Sequence, residues 1–213
     1  MNLDSLDEKF GRQFARAATV AVVARPRLWR AFRWLIRLQF DRLAPVWEGM
    51  RRPDSLAPLE RGLEALANPP RRVLDLGTGT GAAALTTARR FPDAQVVGVD
   101  LADGMVAQAR AATPSELAGR VRFEVADASG LPFADDSFDL VTLSNMIPFF
   151  DELRRVTAPG GAVLISFSSG SDTPIWVPSE RLRRELARRG FSEFADFEVG
   201  RGTALLARRA DRV

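Results

Sequence analysis

Arg72-Val73-Leu74-Asp75-Leu76-Gly77-Thr78-Gly79-Thr80-Gly81 is the stretch whose reading decides the fold. An apolar strand-like run carries one acid, breaks into glycines at alternate positions, and enters Ala82-Ala83-Ala84-Leu85, which reads as a helix. Glycine at a strand-to-helix turn lets the backbone reach positive φ and approach a ligand with no Cβ in the way. The helix that follows presents backbone N–H groups with no intrahelical partner. The stretch is expected to be a nucleotide- or nucleoside-binding turn, and the remainder of the chain has to say which.

C-terminal to the turn, strand and helix patterns alternate. Strands are expected at Arg72–Leu76, Gln95–Asp100, Val121–Val125, Phe138–Ser144 and Ala162–Phe167, with helices at Gly81–Arg90, Gly104–Ala112 and about Phe150–Thr157. Near-continuous apolar runs such as Leu140-Val141-Thr142-Leu143 suit strands buried on both faces. The alternation predicts an α/β, Rossmann-like sheet, mostly parallel, with helices on both faces. A helix from about Ser179 to Arg189 and two short strands, Phe194–Val199 and Thr203–Ala207, follow. Gly200-Arg201-Gly202 separates those strands as a tight turn, so an antiparallel pair is expected to close a seven-stranded sheet.

N-terminal to the turn the chain reads as helical. Leu6, Phe10, Phe14 and Ala17 recur at spacings of three and four, and Pro26 suits the first turn of a second helix. There Leu28, Trp29, Phe32, Ile36, Phe40 and Leu43 form an apolar stripe, while Arg30, Arg33 and Arg37 occupy another face. Such a basic amphipathic helix fits a cap over the main domain's cleft, or peripheral contact with an anionic membrane. A third helix spans Leu56 to Leu66. Residues 1–68 are read as an N-terminal helical cap on the acceptor side, and 69–213 as the ligand-binding domain.

The 213 residues include no Cys, His or Tyr, and Lys9 is the sole lysine. Disulfides, thiolate nucleophiles and metal sites built on His or Cys are excluded, so no metal is expected, and a side-chain general base has to be Asp or Glu. Charge is uneven: +6 over residues 1–72, −6 over 73–177 and +3 over 178–213. The plain reading is arginine on solvated helix faces. The start is acidic (Asp4, Asp7, Glu8), and the most apolar N-terminal window, Ala17 to Ala24, is roughly a third of a membrane span. A cytoplasmic protein is expected.

Gly77-x-Gly79-x-x-Ala82 with Asp100 at the end of the second strand satisfies the dinucleotide pattern. Two features push away from a dinucleotide. Asp75 stands within the first strand, where a pyrophosphate gains nothing from negative charge but a cationic amine does. Gly81 suits close approach to a compact ligand. A ligand with an amine, a ribose and an adenine fits: S-adenosylmethionine.

Residues 72–168 resemble the core of the class I S-adenosylmethionine-dependent methyltransferases, particularly the ubiquinone/menaquinone-biosynthesis-like group (methyltransferase domain type 11/25). The resemblance is carried by Val73 to Gly81, then Gly98-Val99-Asp100-Leu101-Ala102-Asp103-Gly104-Met105, then Ala126-Asp127-Ala128 with Leu131-Pro132-Phe133. Phe138-Asp139-Leu140-Val141 and Pro159-Gly160-Gly161 complete it. It implies that Asp75 and the backbone of Gly77, Thr78, Gly79 and Gly81 hold the methionine portion of the cofactor. It further implies that Asp100 takes the ribose hydroxyls, Leu101 packs on adenine, and Met105 walls the adenine pocket. Asp127 would meet the adenine amino group and the Ala128 N–H a ring nitrogen, with Ser144 and Asn145 beside the sulfonium and the acceptor.

The chain departs from that group in three places. The segment between Asn145 and Pro159 is shorter and hydrophobic (Met146-Ile147-Pro148-Phe149-Phe150), without the histidines often found there. Phe40 replaces a common Tyr, and Asn145-Met146-Ile147-Pro148 is not the Asn-Pro-Pro-aromatic sequence of amine methylation. Methyl transfer is expected to a small, hydrophobic acceptor, because Trp29, Phe32, Phe40, Trp47, Phe149, Phe150 and Trp176 fall in the segments expected around its pocket, a clustering that core packing explains equally well. Asp41, Glu48, Asp151 and Glu152 are candidate bases by location alone, and no catalytic residue is assigned. A cofactor-binding protein without catalysis and a membrane-surface enzyme for lipid or quinone are the alternatives. Nucleic acid is not expected, because no readout motif accompanies the basic ends.

Overall fold

The computed structural model describes residues 3–211, with side chains for Gln13 and from Ala15 onward. Helices α1 (Leu3–Ala24), α2 (Trp29–Leu43), the short α3 (Trp47–Met50) and α4 (Ala57–Glu64) precede the sheet. The side chains of Leu6, Phe10 and Phe14, on which the first helical stripe was read, lie outside the described residues, whereas Ala18, Val22 and Val23 are buried. Strands β1 (Arg72–Leu76), β2 (Gln95–Asp100), β3 (Val121–Val125) and β4 (Phe138–Ser144) have the expected bounds. Between them run α5 (Ala82–Arg90) and α6 (Asp103–Ala111), followed by α7 (Phe150–Val156). The chain then forms β5 (Thr157–Phe167), α8 (Ser179–Ala187), β6 (Phe191–Val199) and β7 (Gly202–Arg209).

The seven strands lie in the order β3-β2-β1-β4-β5-β7-β6. All pairs from β3 to β5 are parallel, and β7 runs antiparallel to both β5 and β6. Alternation along each strand sorts the core into two layers. Leu74, Leu76, Val97, Val99, Val141 and Leu143 face one cluster with Leu153 of α7 and Leu186 of α8. Val73, Val96, Leu140 and Leu164 face the other, with Leu59 and Leu63 of α4, Leu85 of α5 and Val106 of α6. Each fully buried Leu is worth about 2–3 kcal/mol of transfer free energy.

Strand β7 gains one residue at its start and two at its end, and two strands begin three or more residues earlier than expected. β5 starts at Thr157 and takes in Pro159-Gly160-Gly161, which it accommodates by a register shift between Phe138 and Leu140 and a positive φ of 71° at Gly160. β6 starts at Phe191, with a shift between Ser192 and Phe194 where Glu193 has φ 51°. The buried Arg209 side chain ties this end together by donating to the Thr157 carbonyl and to Asp136.

Helix α4 falls inside the 1–68 segment read as a cap, yet it packs on the sheet under β5, β6 and β7. Its approach is close: a Cβ on Gly62 would stand 2.3 Å from Leu164 Cδ1. The part that lies over the C-terminal ends of the strands is α2 with α3, while α1 is tied to the loop after β5 by Arg16, which donates to the Ser171 carbonyl. Among the described residues no helix is long and apolar enough to cross a membrane.

Candidate functional site

The strand order reverses at β1, which has β2 on one side and β4 on the other. In open α/β sheets the crevice outside the carboxyl ends at such a point is where ligands bind. Gly77, Gly79 and Gly81 follow β1 with φ of 64°, 55° and 89°. A non-glycine residue in that left-handed region costs roughly 1–2 kcal/mol. The turn is braced by the Thr78 N–H donating to the Val99 carbonyl at 2.9 Å.

The three glycines serve different ends. A Cβ on Gly77 would stand 2.7 Å from Met146 Sδ, and one on Gly79 3.7 Å from Trp47 Nε1. Both therefore open toward the crevice, where the segments after β4 and after α2 meet them. A Cβ on Gly81 would stand 2.8 Å from Phe123 Cζ and 3.1 Å from Ala109 Cβ. Its bareness is therefore needed for packing against Phe123 of β3 and Ala109 of α6.

Three acids stand at the strand ends, each in a different setting. Asp75 is 1% exposed, and its oxygens accept hydrogen bonds from Thr78 Oγ1 and Thr142 Oγ1, both at 2.7 Å. Burial pushes its carboxyl up to about 6 against the pull of those two hydroxyls, and the neighbouring Asp100 adds to the rise. Asp100 accepts from the Gly79 N–H on one oxygen and the Ala102 N–H on the other, both at 2.9 Å. It thus couples the glycine turn to the turn before α6. Burial raises its pKa despite these N–H donors.

Asp127, after β3, is held from the N-terminal side. Trp29 Nε1 donates to it at 2.8 Å, Arg33 at 3.1 Å, and the Ser129 N–H at 2.9 Å. Burial alone would raise its pKa, but hydrogen bonds from Ser129, Trp29 and Arg33 outweigh that and hold it below the usual range. Arg37 pairs with Asp103, and Asp41 accepts the Gly104 N–H at 2.8 Å, satisfying a first-turn donor of α6 that has no cap of its own. Glu48 accepts from Thr80 Oγ1 and from Arg51. Its burial is outweighed by those bonds, which lower its pKa. Two of the three arginines of the basic face, Arg33 and Arg37, are thus paired with Asp127 after β3 and Asp103 of α6.

The remaining expected site residues fall around this frame. Met105 is buried with Ala44 and Ala102 against Phe40, Leu43 and Trp47, joining α6 to the cap. Leu101 is half-buried against the main core, and Ala128 is buried within it. Ser144 Oγ lies 2.9 Å from Ser166 Oγ, and Asn145, at φ 52°, accepts from the Ser168 N–H at 2.9 Å. Both therefore contact the end of β5.

Of the four candidate bases, Asp41 contacts the first turn of α6 and Glu48 the glycine turn. Glu152 accepts from the Leu131 N–H and Arg155, and Asp151 from Arg189. The aromatic residues divide likewise. Trp29 meets Phe149 edge-on at 5.4 Å and Phe40 meets Trp47 at 5.5 Å. Phe150 lies under Arg189, and Trp176 lines a cavity of about 310 Å³ between α8 and the β5–β7–β6 edge that touches none of the expected cofactor residues. Among the described residues no three His, Cys, Asp or Glu side chains are grouped to hold a metal.

Sequence reasoning overlooked Thr142 and the donor role of Trp29 and Arg33. A signal existed for Thr142: it is the one polar residue in a buried apolar run, and it meets the one acid of β1. For Trp29 and Arg33 there was none, because Asp127 is 98 and 94 residues away.

Residues 73–161 match the family model of a methyltransferase domain. A demethylmenaquinone methyltransferase of Thermus thermophilus is 46% identical over 109 residues, which is 47% of this chain and 49% of that protein. One from Roseiflexus castenholzii is 33% identical over 171 residues, covering 72% of this chain and 70% of the relative. The chain spans about half the length of the first curated relatives it matches. Haemonchus contortus phosphoethanolamine N-methyltransferase 2, solved in complex with S-adenosyl-L-methionine, shares the fold with TM-score 0.60 at 21% identity, over 74% of this chain and 52% of that one.

Proposed function

The chain belongs to the S-adenosylmethionine-dependent methyltransferases of the ubiquinone/menaquinone-biosynthesis group, and from that membership we propose that it transfers a methyl group from S-adenosylmethionine to a small hydrophobic acceptor. One observation carries the donor half. Two glycines at positive φ open onto the crevice where the strand order reverses, with carboxylates at the ends of the next two strands. That set suits a compact ligand with a cationic amine, a ribose and an adenine.

The residues present fit the cofactor. The Gly77, Thr78 and Gly79 backbone would hold its methionine portion, with Asp75 acting through Thr78 because its own carboxylate is buried beneath the turn. Asp100 would receive the ribose hydroxyls and Asp127 the adenine amino group, with the Ala128 N–H, Leu101 and Met105 around the base. Ser144 and Asn145 would stand at the sulfonium end. The bound cofactor supplies an electrophilic methyl on a sulfonium; the protein's share is to align the acceptor and exclude water. Met146 over Gly77, Trp47 over Gly79 and the Trp29–Phe149 pair serve exclusion, and their apolar character favours an aromatic, quinol-like acceptor. Several relatives carry the name demethylmenaquinone methyltransferase, which agrees with such an acceptor. A bilayer-borne acceptor is the finer form of this reading, and the outward face of α2 favours it.

Calorimetry with S-adenosylhomocysteine tests the donor site, and release of that product from S-adenosylmethionine with a short-chain demethylated naphthoquinol tests transfer. Binding with turnover is expected. Binding without turnover across a panel of quinols, phenols and amines would leave a cofactor-binding protein without catalysis.

A further inference from the structure

Helix α2 has two apolar sides, and only one is used. Trp29 is buried and Phe32, Ile36 and Phe40 are half-buried toward the sheet, while Ala31, Trp34, Leu35 and Leu38 point the opposite way and are exposed. At 100° per residue these two sets lie across the helix from each other. Trp34 is 64% exposed. Seven of the eight exposed large apolar side chains among the described residues lie between Val20 and Met50, the eighth being Val125. Scattered exposed apolar residues are ordinary, but a cluster on one segment marks a contact surface.

Among the described residues the exposed charges that flank that face are of one sign. Arg27, Arg30 and Arg42 flank it and are exposed, and among the described residues none has an acidic partner within ion-pair distance. Residues 15–47 contain seven arginines and a single acid, Asp41, whose carboxylate faces inward onto the Gly104 N–H. The inward bonds of Arg33 to Asp127 and of Arg37 to Asp103 fix which way the helix is turned. The outer face is thus held outward by chemistry separate from its own.

We propose that the outer face of α2, centred on Trp34 and Leu38 and ringed by Arg27, Arg30 and Arg42, docks the protein on an anionic lipid bilayer. A tryptophan with apolar neighbours seats at the acyl–headgroup boundary while arginines reach the headgroup phosphates. Docking would leave the crevice about one helix diameter, roughly 10 Å, from the bilayer surface. The inference deepens the proposed function by naming where a hydrophobic acceptor is met, and rests on that function only in this respect.

The test is co-sedimentation of the full chain with vesicles of phosphatidylcholine, alone or with a third of phosphatidylglycerol, read without turnover. Partitioning at least about ten-fold stronger on the anionic vesicles is expected, lost at high salt as headgroup attraction is screened. Trp34→Ala with Leu38→Ala should weaken it about ten-fold. Arg27→Ser, Arg30→Ser and Arg42→Ser together should reduce anionic binding to the neutral level. Trp34→Phe should still bind but lose the blue shift of tryptophan emission. S-adenosylhomocysteine affinity should stay within about two-fold in all these variants, so loss of docking and loss of the donor site are told apart. Equal binding to neutral and anionic vesicles, or an emission shift that survives Trp34→Phe, would overturn the proposal. So would a dimer in sedimentation that Trp34→Ala with Leu38→Ala dissociates, since a second copy would then cover the face.

Discussion

Asp75 and Asp127 both stand at the C-terminal edge of the sheet, one in the floor of the crevice and one under its roof. Asp75 takes its partners from the strand framework: Thr78 is three residues on, and Thr142 is the register partner on β4. Asp127 shares its oxygens with Trp29 and Arg33 of a helix that packs on the sheet from outside. The floor is set when the sheet forms, because its donors are anchored by backbone ladders. The roof is set only when α2 docks through its apolar side, and the polar bonds that orient it include exposed ion pairs worth up to about 1 kcal/mol each. A cleft that must admit a ligand can open at the roof far more cheaply than at the floor.

The largest effect should come from breaking the link between floor and ligand. Asp100→Ala leaves the Gly79 and Ala102 N–H groups without their acceptor. Calorimetry should show S-adenosylhomocysteine affinity reduced by about 100-fold or more, the scale of two lost charge-assisted bonds. Near-normal affinity would remove Asp100 from the site.

The next effect isolates the floor by pH. With its carboxyl raised to about 6, Asp75 binds a proton in the folded state that the unfolded chain has already lost. Its contribution to stability is fully present below the ordinary carboxyl value near 3.8 and is lost as pH rises through about 6. Denaturant unfolding should show about 3 kcal/mol of such a slope over that window. Asp75→Asn should reduce it, leaving the part that belongs to Asp100, whose pKa is also raised, whereas Asp127→Asn, at an acid whose pKa is lowered, should not.

The roof is tested more gently. Trp29→Phe keeps the ring against Phe149 but removes the donor to Asp127. It should cost about 1 kcal/mol in denaturant unfolding and speed amide exchange in α2 while leaving β1 unchanged. The smallest effect belongs to Arg33→Ala with Arg37→Ala. Global stability should fall by about 1 kcal/mol or less, with faster protease cleavage near residues 25–52. Equal loosening of floor and roof in either variant would erase the distinction between them.

Much of this was legible in the sequence because it is local. The strand bounds follow from apolar runs between glycine and proline breaks, and β1 to β4 agree residue for residue. The early starts of β5 and β6 were hidden because each includes a bulge, at Pro159-Gly160-Gly161 and at Glu193, where the local pattern argues against a strand. The acids at the strand ends were also legible, since an acid in a buried run demands a partner. The partner was not.

What the sequence by itself determined is the sheet, the glycine turn and the acids at the strand ends, all fixed by periodicity and spacing within about thirty residues. Only the tertiary structure decided which side of each helix is used. It turned Arg33 and Arg37 inward while leaving Arg27, Arg30 and Arg42 outside. It made Gly81 a packing glycine and moved α4 from cap to sheet layer. The reason is physical: an amphipathic pattern states that a helix has a buried face, but which acids, rings and backbone donors that face meets depends on contacts between residues far apart in the chain.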